Sequence, residues 1–367
     1  IAIRAARDYF YKGEIAEELV SYSKSLGGRL SMSDMADFQV EVERPTSAKY
    51  KEFDILTCGP WSQGPVTAQV LQMLENDDIG SMSPNSPDYI HLLSQAMNLS
   101  FSDRHHYYGD PDFVYVPIKG LLSSEYTSAQ RSRITLEHAF TEMPDPGDPW
   151  PFEDKTNPNS GRRTPPANPD SLEQDTSYTC VVDRWGNSFS ATPSDAVFGS
   201  PIVPSLGLMI SSRGTQSWLD QDHPSAVAPW KRPRLTPNPA MAFKNSKLFM
   251  PFGTPGGDAQ CPAMIQTFLN IVEFGMNPQE AIEAPRFVPW NYPNSFWPHA
   301  YHPGLIHLEG RIAREVGREL SRRGHKVEYL DDWSANMGAM SAIVVDHKNG
   351  SLSAGADPRR DAYAIGR

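Results

Sequence analysis

Short runs of alternating apolar and polar residues recur along the chain, punctuated by clusters of Gly, Pro, Asn and Asp. The most informative stretch covers 175–199 and reads D-T-S-Y-T-C-V-V-D-R-W-G-N-S-F-S-A-T-P-S-D-A-V-F-G. Period two puts Ser177, Thr179 and Val181 on one face of a strand and Tyr178, Cys180 and Val182 on the other. Arg184-Trp185-Gly186-Asn187 predicts a turn in which Gly186 is free to take positive φ. Residues 188–192 return as a second strand. A period of 3.6 predicts helix over 1–26, broken near Gly13, carrying Ile15, Leu19 and Val20 and closed by Gly27-Gly28. Ser31 reads as the N-cap of a short helix. Further helices are expected over 66–74, 89–101, 262–274, 278–284 and 312–323. The last has Ile312, Val316 and Leu320 on one face. Strands are expected over 40–42, 53–57, up to Phe243 and over 248–252, with a buried one over 206–212. A final hairpin covers 340–346 and 351–354, around Lys348-Asn349-Gly350.

What precedes the 175–199 hairpin changes the picture. From 143 to 170 the chain is packed with Pro, Asp, Asn and Gly, a composition that forms neither strand nor helix. A strand rarely needs so long an unstructured lead, and one physical reason to have it is that the chain is cut there. The 367 residues suit two or three average domains or one large composite one. A net charge of −11 argues against nucleic acid or an anionic membrane as the main partner. No apolar run approaches the roughly 18–20 residues that span a bilayer. Cys58, Cys180 and Cys261 are an odd number and do not make a disulfide framework. The chain opens on Ile1, inside a predicted helix, so we expect a fragment from which a leader could have been lost. The expected compartment is the cytoplasm, with periplasm or secretion open.

Thr176 followed by C-V-V-D-x-x-G-N and T-P-S-D-A-V-F-G resembles the start of the small subunit in the gamma-glutamyltransferase family, a branch of the N-terminal nucleophile hydrolases. Other segments resemble the family in the same order. They include G-G-x-L-x-x-x-D-x-x-x-F-x-V at 27–40, Asp103-Arg104, Gly109-Asp110-Pro111, G-T-P-G-G-D at 253–258 and the tail G-A-D-P-R-R-D-A-Y-A. The resemblance covers essentially the whole chain. It implies an α/β fold, the four-layer αββα sandwich. Residues 1–175 would be the later part of the large subunit, with a Pro-rich linker at about 143–175. Residues 176–367 would be the small subunit. It also implies that the Asp175–Thr176 bond is the cleavage site, cut by the threonine that then becomes the nucleophile. The chemistry suits the residue type, because a weak hydroxyl nucleophile gains a base when its own α-amine is freed, with an unperturbed pKa of about 7.7–8.0. Without the family, Thr176 reads as an ordinary strand threonine.

The resemblance further implies roles at the site. Gly256 and Gly257 would offer backbone N–H groups to an oxyanion, and Ser194 stands where the family has a second Thr bonded to the nucleophile. Tyr178, Arg213, Gln216 and Thr236 are the candidate substrate-binding residues. Here the chain departs from the family. Members that hold a γ-glutamyl α-amine read N-N-x-M-D-D-F after the strand, whereas this chain reads S-S-R-G-T-Q-S-W. Gln216 replaces the amine-binding Asp, Arg213 stands where Glu or Gln would be, and Leu235-Thr236 replaces a Ser-Ser pair. A fixed guanidinium repels an ammonium and suits a carboxylate. The pattern is similar to the cephalosporin-acylase-like and oxamate-amidohydrolase-like branch. A structural ion pair is the plainer reading of Arg213.

The expected activity is hydrolysis of a small or carboxylate-bearing amide through an acyl–Thr176 ester. A true gamma-glutamyltransferase and a catalytically silent member are the alternatives. The expected partners are a small-molecule amide and the two subunits of one precursor, with a homodimer of such pairs left open. No cofactor is expected. His105 and His106 invite a metal reading, but neither has a ligand-spaced partner, and His299, His302 and His307 are scattered. No metal site is expected.

Overall fold

The computed structural model describes residues 2–156, 176–195 and 200–366. In chain order the first helices are α1 (Ala2–Lys12), α2 (Glu14–Ser25) and α3 (Met32–Asp37). Strands β1 (Thr46–Tyr50) and β2 (Phe53–Thr57) precede α4 (Gly64–Met73), α5 (Pro87–Tyr107), α6 (Ile118–Leu121) and α7 (Ser124–Arg131). Next come β3 (Thr179–Val182), β4 (Ser188–Ala191), β5 (Ile202–Val203), β6 (Leu208–Met209), β7 (Ala240–Lys244) and β8 (Lys247–Gly253). The chain continues through α8 (Gln260–Val272), α9 (Pro278–Glu283), β9 (Phe287–Pro289) and β10 (Leu305–Glu309). It ends with α10 (Arg314–Arg322), β11 (Lys326–Leu330), β12 (Ser341–Asp346) and β13 (Ser351–Ala356).

These elements form two compact units. One comprises Ile1–Arg44 and Asp195–Gly214, and the other Pro45–Ser194 and Thr215–Arg367. In the first, α1 and α2 meet at Gly13, and a capping box at Ser31 and Asp34 opens α3 as the sequence predicts. The β5–β6 ribbon completes it.

The second unit is built on a six-stranded antiparallel sheet in the order β1-β2-β7-β8-β12-β13. Helices α4 and α8 cover one face, and α5 and α7 pack on α4. The β3–β4 hairpin packs on β8 and β12. Strand periodicity assigns it to the opposite face: Phe252 stacks on Phe268 of α8, while its neighbour Gly253 meets Tyr178 of the hairpin. The core therefore lies between the sheet and its helices, with Val66, Val70, Leu93, Met97, Met250, Ile265 and Phe268 fully buried. Strands β9, β10 and β11 make a separate three-stranded sheet, with β10 and β11 parallel and joined through α10.

Three sequence expectations fail. Residues 40–42 are not a strand, and Val40 and Val42 are exposed, with no strand pairing with them among the described residues; the strand begins at Thr46. Residues 206–212 are not a buried strand, since only Leu208–Met209 pairs and both side chains are exposed. The 143–170 lead is not wholly irregular, as Trp150–Phe152 forms a 3-10 turn that buries Trp150. Asp175, and with it the Asp175–Thr176 junction, lies outside the described residues, as do 157–175 of the linker.

Candidate active site

The hairpin register decides where Thr176 and Ser194 sit. Thr179 pairs with Ala191 and Val182 with Ser188. Ser177 N–H donates to the Pro193 carbonyl at 3.0 Å, which carries the same register one step beyond the ladder. Continuing it places Thr176 opposite Ser194, and Ser194 Oγ donates to Thr176 Oγ1 at 2.6 Å. Thr176 is 7% exposed. A buried threonine oxygen held by a neighbouring hydroxyl is confined in direction, which a nucleophile needs before it can attack.

The glycine loop begins where the hairpin lies on the sheet. Tyr178 sits on Gly253, the last residue of β8, and a Cβ there would collide with the ring. The Tyr178 and Ser190 hydroxyls bond at 2.8 Å, and Ser190 Oγ donates to the Ala240 carbonyl at 3.1 Å. These contacts fix the Thr176 end of the hairpin above the exit of β8. From that exit the chain runs through Thr254 and Pro255 to Gly256 and Gly257, both at positive φ (+122° and +55°). Gly338 crowds Gly256, so that a Cβ would stand 3.1 Å from its Cα. The 3-10 turn Gly257–Ala259 then feeds α8. Among the described residues neither the Gly256 nor the Gly257 N–H has an acceptor. Unused donors at the start of a helix suit an anionic oxygen.

A buried polar network that sequence reasoning missed supports this loop. Gln63 Nε2 donates to both the Thr236 and Gly257 carbonyls, at 2.8 Å each. Gln63 Oε1 accepts from Arg104 Nη1 at 3.0 Å, and the same nitrogen bonds Asp258 Oδ1. Ser295 gives Asp258 two hydrogen bonds, from its backbone N–H and from Oγ, at 2.6 Å each. Burial alone would raise the Asp258 carboxyl; the guanidiniums of Arg104 and Arg234 and the bonds from Ser295 overcome it and hold the pKa below its usual value. Asp103-Arg104 and the final Asp of G-G-D were visible motifs, but nothing local says that they meet.

Of the substrate-binding candidates, Gln216 and Thr236 come together, with Gln216 Nε2 donating to Thr236 Oγ1 at 3.4 Å. Arg213 belongs to the first unit, where it is buried and its backbone N–H donates to Ser211 Oγ at 3.2 Å. Asn187 closes the hairpin turn on Asp183 at 2.8 Å. None of the three cysteines is in a disulfide among the described residues, and burial pushes the Cys261 thiol up to about 12, far from the thiolate a cysteine nucleophile requires. Among the described residues no cluster of three or more His, Cys, Asp or Glu could hold a metal. His105 instead packs near Trp218 and His223. Nor does any described helix have the length and apolarity to cross a membrane.

Comparison with known proteins extends this picture. The model of the gamma-glutamyltranspeptidase family matches residues 3–367. The chain is 31% identical over 362 residues to a glutathione hydrolase proenzyme of Bacillus subtilis, covering 98% of this chain and 59% of that protein. Among solved structures it is similar to LmbA2991HD (34% identity, TM-score 0.88), covering 100% of this chain and 64% of that one. It is also similar to a cephalosporin acylase from Bacillus halodurans (27% identity, TM-score 0.80), covering 97% and 59%. The chain thus spans less than two thirds of each.

Proposed function

The chain belongs to the gamma-glutamyltranspeptidase family, and from that premise we propose that Thr176 is the nucleophile of a self-processed amidohydrolase. Its fold is the αββα type of the N-terminal nucleophile hydrolases. In maturation, Thr176 Oγ1 attacks the carbonyl of residue 175 and displaces the Thr176 nitrogen. Water opens the resulting ester and leaves a carboxylate on Asp175 and a free α-amine on Thr176. In turnover, that amine takes the proton from Oγ1 as Oγ1 attacks the substrate amide. The amine product departs with a proton, and water hydrolyses the acyl–Thr176 ester. The Gly256 and Gly257 N–H groups receive the oxyanion, a role worth about 2.7–4 kcal/mol for one donor. No step requires a cofactor.

The single observation that carries this reading is the 2.6 Å contact from Ser194 to Thr176 at the end of a hairpin set over the glycine loop. Hydrolysis of a small or carboxylate-bearing amide is favoured over transfer of a γ-glutamyl group. Gln216 and Thr236 meet each other where an α-amine would need carboxylates. The two parts of the precursor would be the first partners of one another.

Intact-mass analysis of the purified protein tests the proposal. A fragment beginning at Thr176 is expected, together with an ester-sized mass increase on short exposure to a reactive amide. Thr176→Ala should remain one chain. Efficient cutting of that variant would overturn the proposal. Turnover of a γ-glutamyl anilide in preference to oxamate and N-acyl amides would favour the true transferase, the reading that the glutathione hydrolase relative supports.

A further inference from the structure

Residues 290–304, between β9 and β10, hold the glycine loop at one place and the Gln216 segment at another. The connection first closes on itself. Asn294 N–H donates to the Ala300 carbonyl at 2.8 Å, Phe296 N–H to Asn294 Oδ1 at 2.8 Å and His299 N–H to the Phe296 carbonyl at 2.6 Å. His299 sits at φ +61°, a conformation that a non-glycine residue keeps only where its surroundings hold it.

On the glycine side, Ser295 gives Asp258 its two 2.6 Å bonds, and Arg104 Nη2 donates to the Pro293 carbonyl at 3.0 Å. Asp258 directly follows Gly257. On the other side, Trp297 N–H donates to the Thr215 carbonyl at 2.8 Å, and His299 Nε2 lies 3.3 Å from the Ser217 carbonyl oxygen. One loop therefore holds the residues before and after Gln216. Trp218, 7% exposed, stacks its indole on the His299 ring at 3.8 Å and 5° and on the His223 ring at 4.2 Å and 11°. Gln216 is fully buried, and its side chain donates to Thr236, whose carbonyl shares Gln63 with that of Gly257. Attachment at both places fixes the Gln216 segment relative to the oxyanion donors, and a recognition group held in this way selects among substrates.

We propose that the 294–300 loop positions Gln216 against the glycine loop and thereby sets which acyl group the site accepts, with Trp218 and His299 as its positioning residues. The proposal rests on the amidohydrolase reading and deepens it, since it assigns recognition of the acyl group to a segment braced from the β9–β10 connection rather than to the Thr176 hairpin.

The test is steady-state kinetics of the self-cut protein on amides of different acyl length, such as oxamate and succinamate, beside the rate of self-cutting. His299→Asn removes the stacked ring and keeps a residue type that tolerates positive φ. It should raise KM about 10-fold or more and change the ratio of kcat/KM between the amides, with kcat held within about 3-fold. Self-cutting should keep the parent's rate, because there the acyl group is already tethered to Thr176. Trp218→Leu should behave in the same way, and Trp218→Phe, which keeps a stacking ring, should retain the parent's KM and ratio. Unchanged KM and ratio in His299→Asn overturn the proposal. So does a fall of kcat and self-cutting in step with the rise of KM, which would reduce the loop to a support for the fold. Should His299→Asn not fold, the two Trp218 variants decide. A parent that turns over no amide brings down the amidohydrolase reading and this proposal together, whereas an active parent with indifferent variants brings down this proposal alone.

Discussion

Replacing Ser194 by Ala removes one oxygen and nothing else from the end of the β3–β4 hairpin. The lost contact is a 2.6 Å O–H···O bond to a threonine that is 7% exposed. Taking one hydrogen-bond donor away from a buried oxygen costs up to about 1–3 kcal/mol. If that cost falls on the attacking geometry, both self-cutting and amide turnover should slow by about 5- to 150-fold. Folding should suffer little, because Ser177 and Pro193 still hold the strand ends together at 3.0 Å. A Tm change of no more than about 4 °C is expected. Ser194→Thr keeps the hydroxyl and should retain most of both rates. The assay follows the uncut chain on a denaturing gel after rapid refolding and measures kcat/KM on the same preparation once cutting is complete. Unchanged rates for both reactions in Ser194→Ala would refute the claim that this hydroxyl positions Thr176.

Gly256→Ala places a side chain at φ +122° against Gly338 and should cost about 1–3 kcal/mol of stability; self-cutting should fail with it, as a gel would show. Gln63→Leu removes one hydrogen bond from each of two buried carbonyls and the acceptor of an Arg104 bond, and a drop of about 2–4 kcal/mol in denaturant unfolding is expected. His325 and His91 meet at 2.9 Å in the interior, and His91 reaches the Thr135 carbonyl at 2.8 Å. Burial, aided by His91 and Arg323, lowers His325 to about 3. Between that value and 6.5 the unfolded chain binds a proton that the folded one refuses, so stability rises with pH across this window. Moving from pH 6.5 to pH 5 should cost the parent about 1.6 kcal/mol at this residue; His325→Phe should flatten that acid limb, and equal slopes in the two proteins would contradict the assignment.

Much of the site could be read from the chain because its parts are local. The hairpin announces itself by alternation and by the Gly186 turn, and the glycine pair follows a strand and precedes a helix, as observed. The failures trace to partners that local pattern cannot supply. Val40 and Val42 have strand propensity but, among the described residues, no strand to pair with, whereas the polar-looking T-S-A-K-Y of β1 buries Ala48 and Tyr50 with β2 beside it. The three-stranded sheet escaped because β9 contains Pro289 and β10 holds His307, one of the histidines that read as scattered; its parallel pair, β10 and β11, is separated by α10. The Arg104–Asp258 pair bridges 154 residues, and no spacing rule reaches so far.

The bend formed by Arg184, Trp185, Gly186 and Asn187 is exposed and far along the hairpin from Thr176. Yet its length sets which residue faces Thr176, since antiparallel strands count back from their turn. One residue added there would shift the pairing by a place and swing the opposing side chain to the other side of the sheet. An apparently tolerant surface loop is therefore bound to a fixed number of residues, because that number is what puts two hydroxyls within reach of each other.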